Sequence, residues 1–249
     1  MKGIILAGGT GSRLFPLTKV TNKHLLPVGR EPMIQHPVRK MTSAGIDEIL
    51  VVTGVEHMGD VVNLLGSGRE FGCRFTYKVQ DEAGGIAQAL GLAEHFAAGA
   101  PVCVILGDNV FGDPLAPFVS AFERQRRGAR LLLKRVPDPQ RFGVAEVTGG
   151  AVRRIVEKPR RPRSDLAVTG IYFYDAHVYE AIRSLRPSAR GELEITDVNN
   201  DYLRRGELQF DLLEGWWTDA GTFDSLHLAN ELARRGAARP ARAARARGR

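Results

Sequence analysis

The chain has 249 residues, 43% of them hydrophobic and 25% charged, the make-up of a globular domain with a real core and not of a disordered chain. No run approaches the roughly 20 apolar residues of a membrane-spanning helix, and the first apolar run is too short for a signal-peptide core, so the expected location is the cytoplasm. The net charge of +7 resembles a nucleic-acid footprint until it is located: the seven arginines from Arg234 onward account for all of it, and residues 1–233 are formally neutral.

In chain order, short apolar runs at 3–7, 49–53, 75–79 and 102–106 predict strands. Amphipathic patterns over 33–44, 58–65 and 86–96 predict the helices between them. This alternation implies right-handed crossovers and a parallel sheet with both faces covered. From residue 130 the strand-like segments crowd together, at 130–136, 143–147, 152–157 and 168–174. Helices are expected at 176–185, 195–205 and 223–234. The fold class is α/β, a single Rossmann-like domain over 1–233 with a mixed, mainly parallel central sheet. Residues 234–249 form an Arg/Ala-rich tail expected to be disordered, with neither nucleic acid nor membrane as partner. Cys73 and Cys103 lie far apart in strand-like runs and read as buried free thiols.

Ligands of open α/β sheets sit beyond the carboxyl ends of the parallel strands. The segment Gly8-Gly9-Thr10-Gly11-Ser12-Arg13 follows the first strand directly, and its glycines let successive N–H groups face phosphate oxygens. It is not a dinucleotide loop, because Leu14 stands where GxGxxG needs its third glycine and Pro16 follows where a helix should start. A nicotinamide-dependent oxidoreductase is therefore disfavoured. No Gly-Lys-Ser/Thr run completes a P-loop either.

The next residues, Leu14-Phe15-Pro16-Leu17 through Lys23-His24-Leu25-Leu26-Pro27-Val28 and Pro32-Met33-Ile34, complete a signature. With the glycine loop, it closely resembles that of the sugar-1-phosphate nucleotidylyltransferases, and in particular their glucose-1-phosphate thymidylyltransferase branch. Further blocks follow in order: Gln80, Gly84-Gly85-Ile86-Ala87-Gln88-Ala89, Leu106-Gly107-Asp108-Asn109, Arg141-Phe142-Gly143-Val144, Glu157-Lys158-Pro159, Val168-Thr169-Gly170-Ile171-Tyr172-Phe173-Tyr174-Asp175, Arg190-Gly191-Glu192-Leu193-Glu194-Ile195-Thr196-Asp197-Val198 and Trp217-Thr218-Asp219-Ala220-Gly221-Thr222. They span nearly the whole predicted domain.

The resemblance implies a nucleotidyltransferase domain that joins dTTP to glucose 1-phosphate, giving dTDP-glucose and pyrophosphate by Mg²⁺-assisted in-line attack on the α-phosphate. The alternative is the same reaction with UTP or another sugar 1-phosphate. It implies catalytic roles for Arg13, Lys23 and Lys158, and a nucleotide site formed by Leu6, Gly8, Gly9, Thr10, Gly11, Ser12, Arg13, Gln80, Gly85 and Asp108. It places the sugar phosphate on Asn109, Gly143, Glu157, Lys158 and Val168, and the Mg²⁺ on Asp108 and Asp219. Hard carboxylate oxygens suit that ion. A homo-oligomer is expected. Longer relatives carry an extra C-terminal helical region that contributes a feedback site, which the Arg-rich tail here replaces. His24 needs no general-base role, since a sugar phosphate is already an anion. Arg190, Glu192, Glu194 and Asp197 read as a structural ion-pair and capping cluster. Asp113 lies outside every motif, and its change to Asn is expected to do little.

Overall fold

The computed structural model describes residues 1–237. Among these residues, nine strands form one sheet: β1 (Lys2–Ala7), β2 (Glu48–Gly54), β3 (Arg74–Gln80), β4 (Val102–Leu106), β5 (Ala129–Arg135), β6 (Gly143–Thr148), β7 (Ala151–Glu157), β8 (Leu166–Tyr174) and β9 (Leu208–Leu212). Its main path runs β7-β6-β8-β4-β1-β2-β3, with β5 on β8 and β9 on β5. Only β7 and β8 point against the rest, since β8 pairs antiparallel with β4, β5 and β6, and β7 antiparallel with β6. The chain leaves β1 toward β2 and β3, then crosses back to set β4 on the other edge of β1. That reversal opens a crevice at the carboxyl ends of β1 and β4, where the glycine loop and Gly107-Asp108-Asn109 emerge.

The two-residue period of β1 divides the core. Ile4 and Leu6 face a layer with Ala87, Leu90, Val178, Ile182 and Val198. Ile5 and Ala7 face the other, with Val38, Met41, Val61, Val119 and Phe122. A third cluster forms where the C-terminal helix Phe223–Ala237 lays Ala229 against Leu14, Val28, Met33 and Val110. Because that helix continues through Arg234 to Ala237, the expected tail boundary at 234 falls inside it, and 238–249 lie outside the described residues. Both cysteines are free and buried. Among the described residues, no helix is long and apolar enough to cross a membrane.

Several elements depart from expectation. The pattern over 86–96 is two helices, Ile86–Gly91 and Glu94–Ala97. The predicted helix at 33–44 begins only at Gln35, and the N–H groups of Met33 and Ile34 tie its entry to the carbonyls of Leu26 and His24. Helix Ala116–Gln125 and edge strand β9 were not expected. The helix is preceded by a brief strand, Asn109–Phe111, and starts with proline in its first turn.

Candidate active site

A cleft of about 370 Å³ opens at the crevice, lined by residues from both halves of the chain. On the nucleotide side, Gly8 has no room for a Cβ, which would lie 2.6 Å from Gln80 Oε1. Gly11 turns the loop with φ of 61°, and a Cβ there would lie 2.8 Å from the Thr18 methyl and 3.2 Å from Lys23 Cβ. The short helical turn Ser12–Leu14 then carries Arg13 toward the two aspartates: a Cβ on Gly221 would stand 3.3 Å from the Arg13 guanidinium, 3.5 Å from Asp108 and 3.6 Å from Asp219. Leu6, Gly8, Gly9, Arg13, Lys23, Gln80, Gly85 and Asp108 all line the cleft. Thr10 lines an adjoining groove instead, and Gly11 and Ser12 form the turn without reaching the cleft wall.

Lys23 Nζ meets Asp108 Oδ2 at 2.6 Å, with both side chains 13% exposed. Burial alone would raise the Asp108 carboxyl. Lys23 and an Asn109 hydrogen bond at 3.0 Å outweigh it and hold the group well below the usual carboxylate range. His24 is lowered to about 3, by burial first and then by Lys23, and its Nδ1 donates to Asn22 Oδ1 at 2.6 Å. Its role is to brace the loop, because a neutral ring of such low basicity makes a poor proton acceptor.

Asp219 reaches Asp108 through a ribbon that sequence reading missed. Trp217–Asp219 pairs antiparallel with Asn109–Phe111, setting Asp219 opposite Asn109. Asn109 ties the parts together: its Oδ1 accepts from Trp217 Nε1 at 2.7 Å and from the Gly170 N–H at 3.1 Å. A bulge in β8 between Val168 and Tyr172 frees that N–H from the ladder. Arg141 holds both Asp219 oxygens, at 3.2 and 3.3 Å. Even so, burial and the neighbouring Asp108 push the Asp219 carboxyl up to about 6. Two carboxylates crowded until one resists ionisation make a place where a hard divalent cation is welcome. Among the described residues, no three His, Cys, Asp or Glu side chains form a metal cluster, so phosphate oxygens and water would complete any shell.

Asp113 has partners in the fold that its place outside the motifs did not foresee. Its carboxylate accepts the Gly215 N–H at 2.8 and 3.0 Å, and Lys134 Nζ donates to the carbonyls of Leu213 and Gly215 at 2.9 and 2.6 Å. Together they anchor the approach to Trp217–Asp219. Asp113→Asn turns one acceptor oxygen into a donor beside that N–H. Steady-state kinetics should show kcat down by roughly three- to tenfold, by displacing Asp219, whereas Asp47→Asn, exposed in the turn at the amino end of β2, should be silent.

At the far end, Gly143, Glu157, Lys158 and Val168 line the wall, with Asn109 beside them. Glu157 Oε2 accepts from Thr196 at 2.6 Å, which fixes its orientation. Lys158 has φ of 40°, a strained value for a residue with a side chain, and its N–H donates to the Phe142 carbonyl at 3.0 Å. Phe142 packs edge-on against Trp217, ring centroids 5.2 Å apart. Arg190 pairs with Glu194 at 2.8 Å, so the ion-pair reading of that block holds. The capping reading does not: Glu194 stands at the N-cap of helix Ile195–Arg204 but spends its carboxylate on Arg190 and Ser188. Arg190, Glu192 and Glu194 also line the cleft, as do Arg141, Thr196, Tyr172 and Trp217, none of which was expected as lining. Arg141 and Trp217 were visible inside motif blocks. So were Tyr172 and Thr196, but only the packing of β8 and the 195–204 helix shows that they turn inward.

Residues 2–236 match the model of the nucleotidyl transferase family. The glucose-1-phosphate thymidylyltransferase of Neisseria meningitidis serogroup A is 46% identical over 233 residues, 92% of this chain and 81% of the relative. That of Actinoplanes sp. is 49% identical over 226 residues, covering 89% and 74%. A Bacillus anthracis structure described as a glucose-1-phosphate thymidylyltransferase in complex with sucrose superposes with a TM-score of 0.91 at 62% identity, over 94% of this chain and 95% of that one. A UDP-glucose pyrophosphorylase complexed with UDP-glucose gives 0.84 at 25% identity, covering 94% and 98%.

Proposed function

Because the chain belongs to the nucleotidyl transferase family, we propose that it converts dTTP and glucose 1-phosphate to dTDP-glucose and pyrophosphate. The observation that carries this reading is one continuous cleft bounded by the glycine loop, Lys23, Asp108 and Asp219 on one side and by Glu157 and Lys158 on the other. Two polyanions must meet there, so catalysis is positioning and neutralisation.

A phosphate oxygen of the sugar 1-phosphate attacks the α-phosphorus, a new P–O bond forms, and the bond to pyrophosphate breaks opposite it. Arg13 and Lys23 face the triphosphate and its developing charge. The loop residues Leu6, Gly8, Gly9 and Thr10 bound the nucleotide, with Gly11 and Ser12 setting the turn. Gln80 and Gly85 meet the base. Lys158 holds the attacking phosphate. Glu157, fixed by Thr196, accepts sugar hydroxyls, and Gly143 and Val168 shape the sugar wall. Asn109 has spent its oxygen and one of its amide hydrogens on the scaffold, leaving one N–H for the sugar. Asp108 and Asp219 would hold a divalent cation, Mg²⁺, whose charge neutralises the phosphate oxygens when it is bound. No general base is required, and His24 supplies none.

The direct test is pyrophosphate release from a matrix of dTTP, UTP, dCTP and dATP against glucose and galactose 1-phosphates. The highest kcat/KM is expected for dTTP with glucose 1-phosphate. UTP is the second reading, favoured by the 25% identity to a UDP-glucose pyrophosphorylase. One methyl separates the two bases, about 1–3 kcal/mol in an apolar pocket. Lys158→Ala should raise the KM for glucose 1-phosphate by on the order of tenfold, the worth of one charge-assisted contact. It should leave the nucleotide KM near wild type. A rise confined to the nucleotide KM would remove Lys158 from the sugar-phosphate site.

A further inference from the structure

Two side-chain amides meet beneath the nucleotide side of the cleft, and only one of them lines it. Gln80, at the end of β3, is 8% exposed. Its Nε2 donates to Gln88 Oε1 at 2.7 Å and to the Gly85 carbonyl at 3.4 Å. Gln88 Oε1 also accepts the Gly84 N–H at 3.1 Å, a donor shared with the Glu82 carbonyl at 2.8 Å. A backbone N–H can only donate and a backbone carbonyl can only accept. The end of Gln88 at Gly84 is therefore its oxygen, and the end of Gln80 at Gly85 and Gln88 is its nitrogen. Both amide orientations follow from groups that have no alternative polarity. Gln80 Oε1 is left on the other edge, beside Gly8, with no protein donor among the described residues. Two glycines make room for the pair: a Cβ on Gly8 would stand 2.6 Å from Gln80 Oε1, and one on Gly84 would collide with the Gln88 amide.

We infer that Gln88 is a positioning residue that locks the Gln80 amide with its oxygen toward the base, so that the site takes a pyrimidine carrying an N3–H and rejects one whose N3 is a lone pair. The inference rests on the proposed thymidylyl transfer and on Gln80 as its base contact. A free Gln80 amide could rotate by half a turn and offer N–H to the cytosine ring nitrogen, so a loose amide reads both bases. The lock supplies the discrimination without Gln88 touching the nucleotide.

The test is the ratio of kcat/KM for dTTP to that for dCTP, with glucose 1-phosphate saturating and folding checked by circular dichroism. Gln88→Leu removes the shared acceptor, and Gly84→Ala displaces an intact Gln88. Each should lower the ratio by roughly three- to tenfold, the worth of one hydrogen bond. Gln88→Glu keeps an acceptor for both donors and should hold the wild-type ratio. The lock is overturned if the folded Leu and Ala variants leave the ratio within threefold of wild type, or if Gln88→Glu lowers it as far as Gln88→Leu. Should one variant fail to fold, the other is read against Gln88→Glu by the same criterion. A wild-type enzyme that turns over neither dTTP nor UTP removes the proposed function together with the lock, whereas an unchanged ratio in an active enzyme removes the lock alone.

Discussion

Replacing Asp219 with Asn should lower kcat by on the order of 10²-fold or more while leaving the metal-free protein at least as stable as wild type above pH 7. The loss of turnover follows if Asp219 and Asp108 jointly hold the cation, whose neutralising charge is worth several kcal/mol in the transition state. The gain in stability follows from the Asp219 carboxyl being pushed up to about 6, by burial first and then by Asp108. Between about pH 4 and 6 the folded protein keeps a proton that the unfolded chain has released. Ionised Asp219 therefore costs the fold stability, fully above pH 6 and not at all below pH 4, by up to about 3 kcal/mol. Thermal melts of both proteins from pH 4.5 to 8 without metal should diverge as pH rises, with the Asn variant higher. In wild type, proton and cation compete for this carboxylate, so the Mg²⁺ needed for half-maximal rate should climb as pH falls through 6. Near-normal kcat and metal dependence in the Asn variant would make Asp219 a ribbon residue and nothing more.

Asp108→Asn should lose turnover as severely but should also lose stability, by about 3 kcal/mol. Its carboxylate sits 2.6 Å from Lys23 with both groups largely buried, and removing one partner strands the other charge. The sign of the pH dependence is opposite to that of Asp219. The Asp108 carboxyl is held low, because Lys23 and Asn109 overcome the opposing effect of burial. Its stabilisation is therefore present above about pH 4 and fades only in strong acid. Urea denaturation at pH 7 should show the drop. Adding Lys23→Met to the Asn variant should restore much of the stability and none of the activity, since the unpaired ammonium is then gone but the cation that faces the triphosphate is gone with it. An Asp108→Asn protein as stable as wild type would mean that the pair contributes nothing to the fold.

Which elements exist was legible from the chain because helices and parallel strands differ in local period. The alternation at Ile4, Ile5, Leu6 and Ala7 divides two core layers, and the four leading strands fall where apolar runs placed them. Boundaries were less legible. The entry to the 35–43 helix is tied to carbonyls of Leu26 and His24 that propensity cannot register, and the break at Gly91 sits against Ile182 on another helix. The site divides in the same way. The identities of Arg13, Lys23, Asp108, Glu157, Lys158 and Asp219 could be read from contiguous motifs, because a phosphate-binding turn or a post-strand aspartate carries its signal in neighbouring residues.

What those residues do to one another was decided only by the tertiary structure. The Asp219 carboxyl rises while that of Asp108 falls because Lys23 contacts one and burial dominates the other, and neither burial nor that contact is written locally in the chain. Asp113 looked dispensable by itself and is instead an anchor for Gly215, far along the sequence. Gln88 read as part of a helix pattern and a motif block, with no role of its own, until the fold set it between Gly84 and Gln80. Local sequence specifies backbone period and the chemical type of each side chain, since both are short-range properties. Charge state, amide orientation and metal readiness depend on distances of a few ångströms between residues that meet only when β1, β4 and the Trp217–Asp219 ribbon come together.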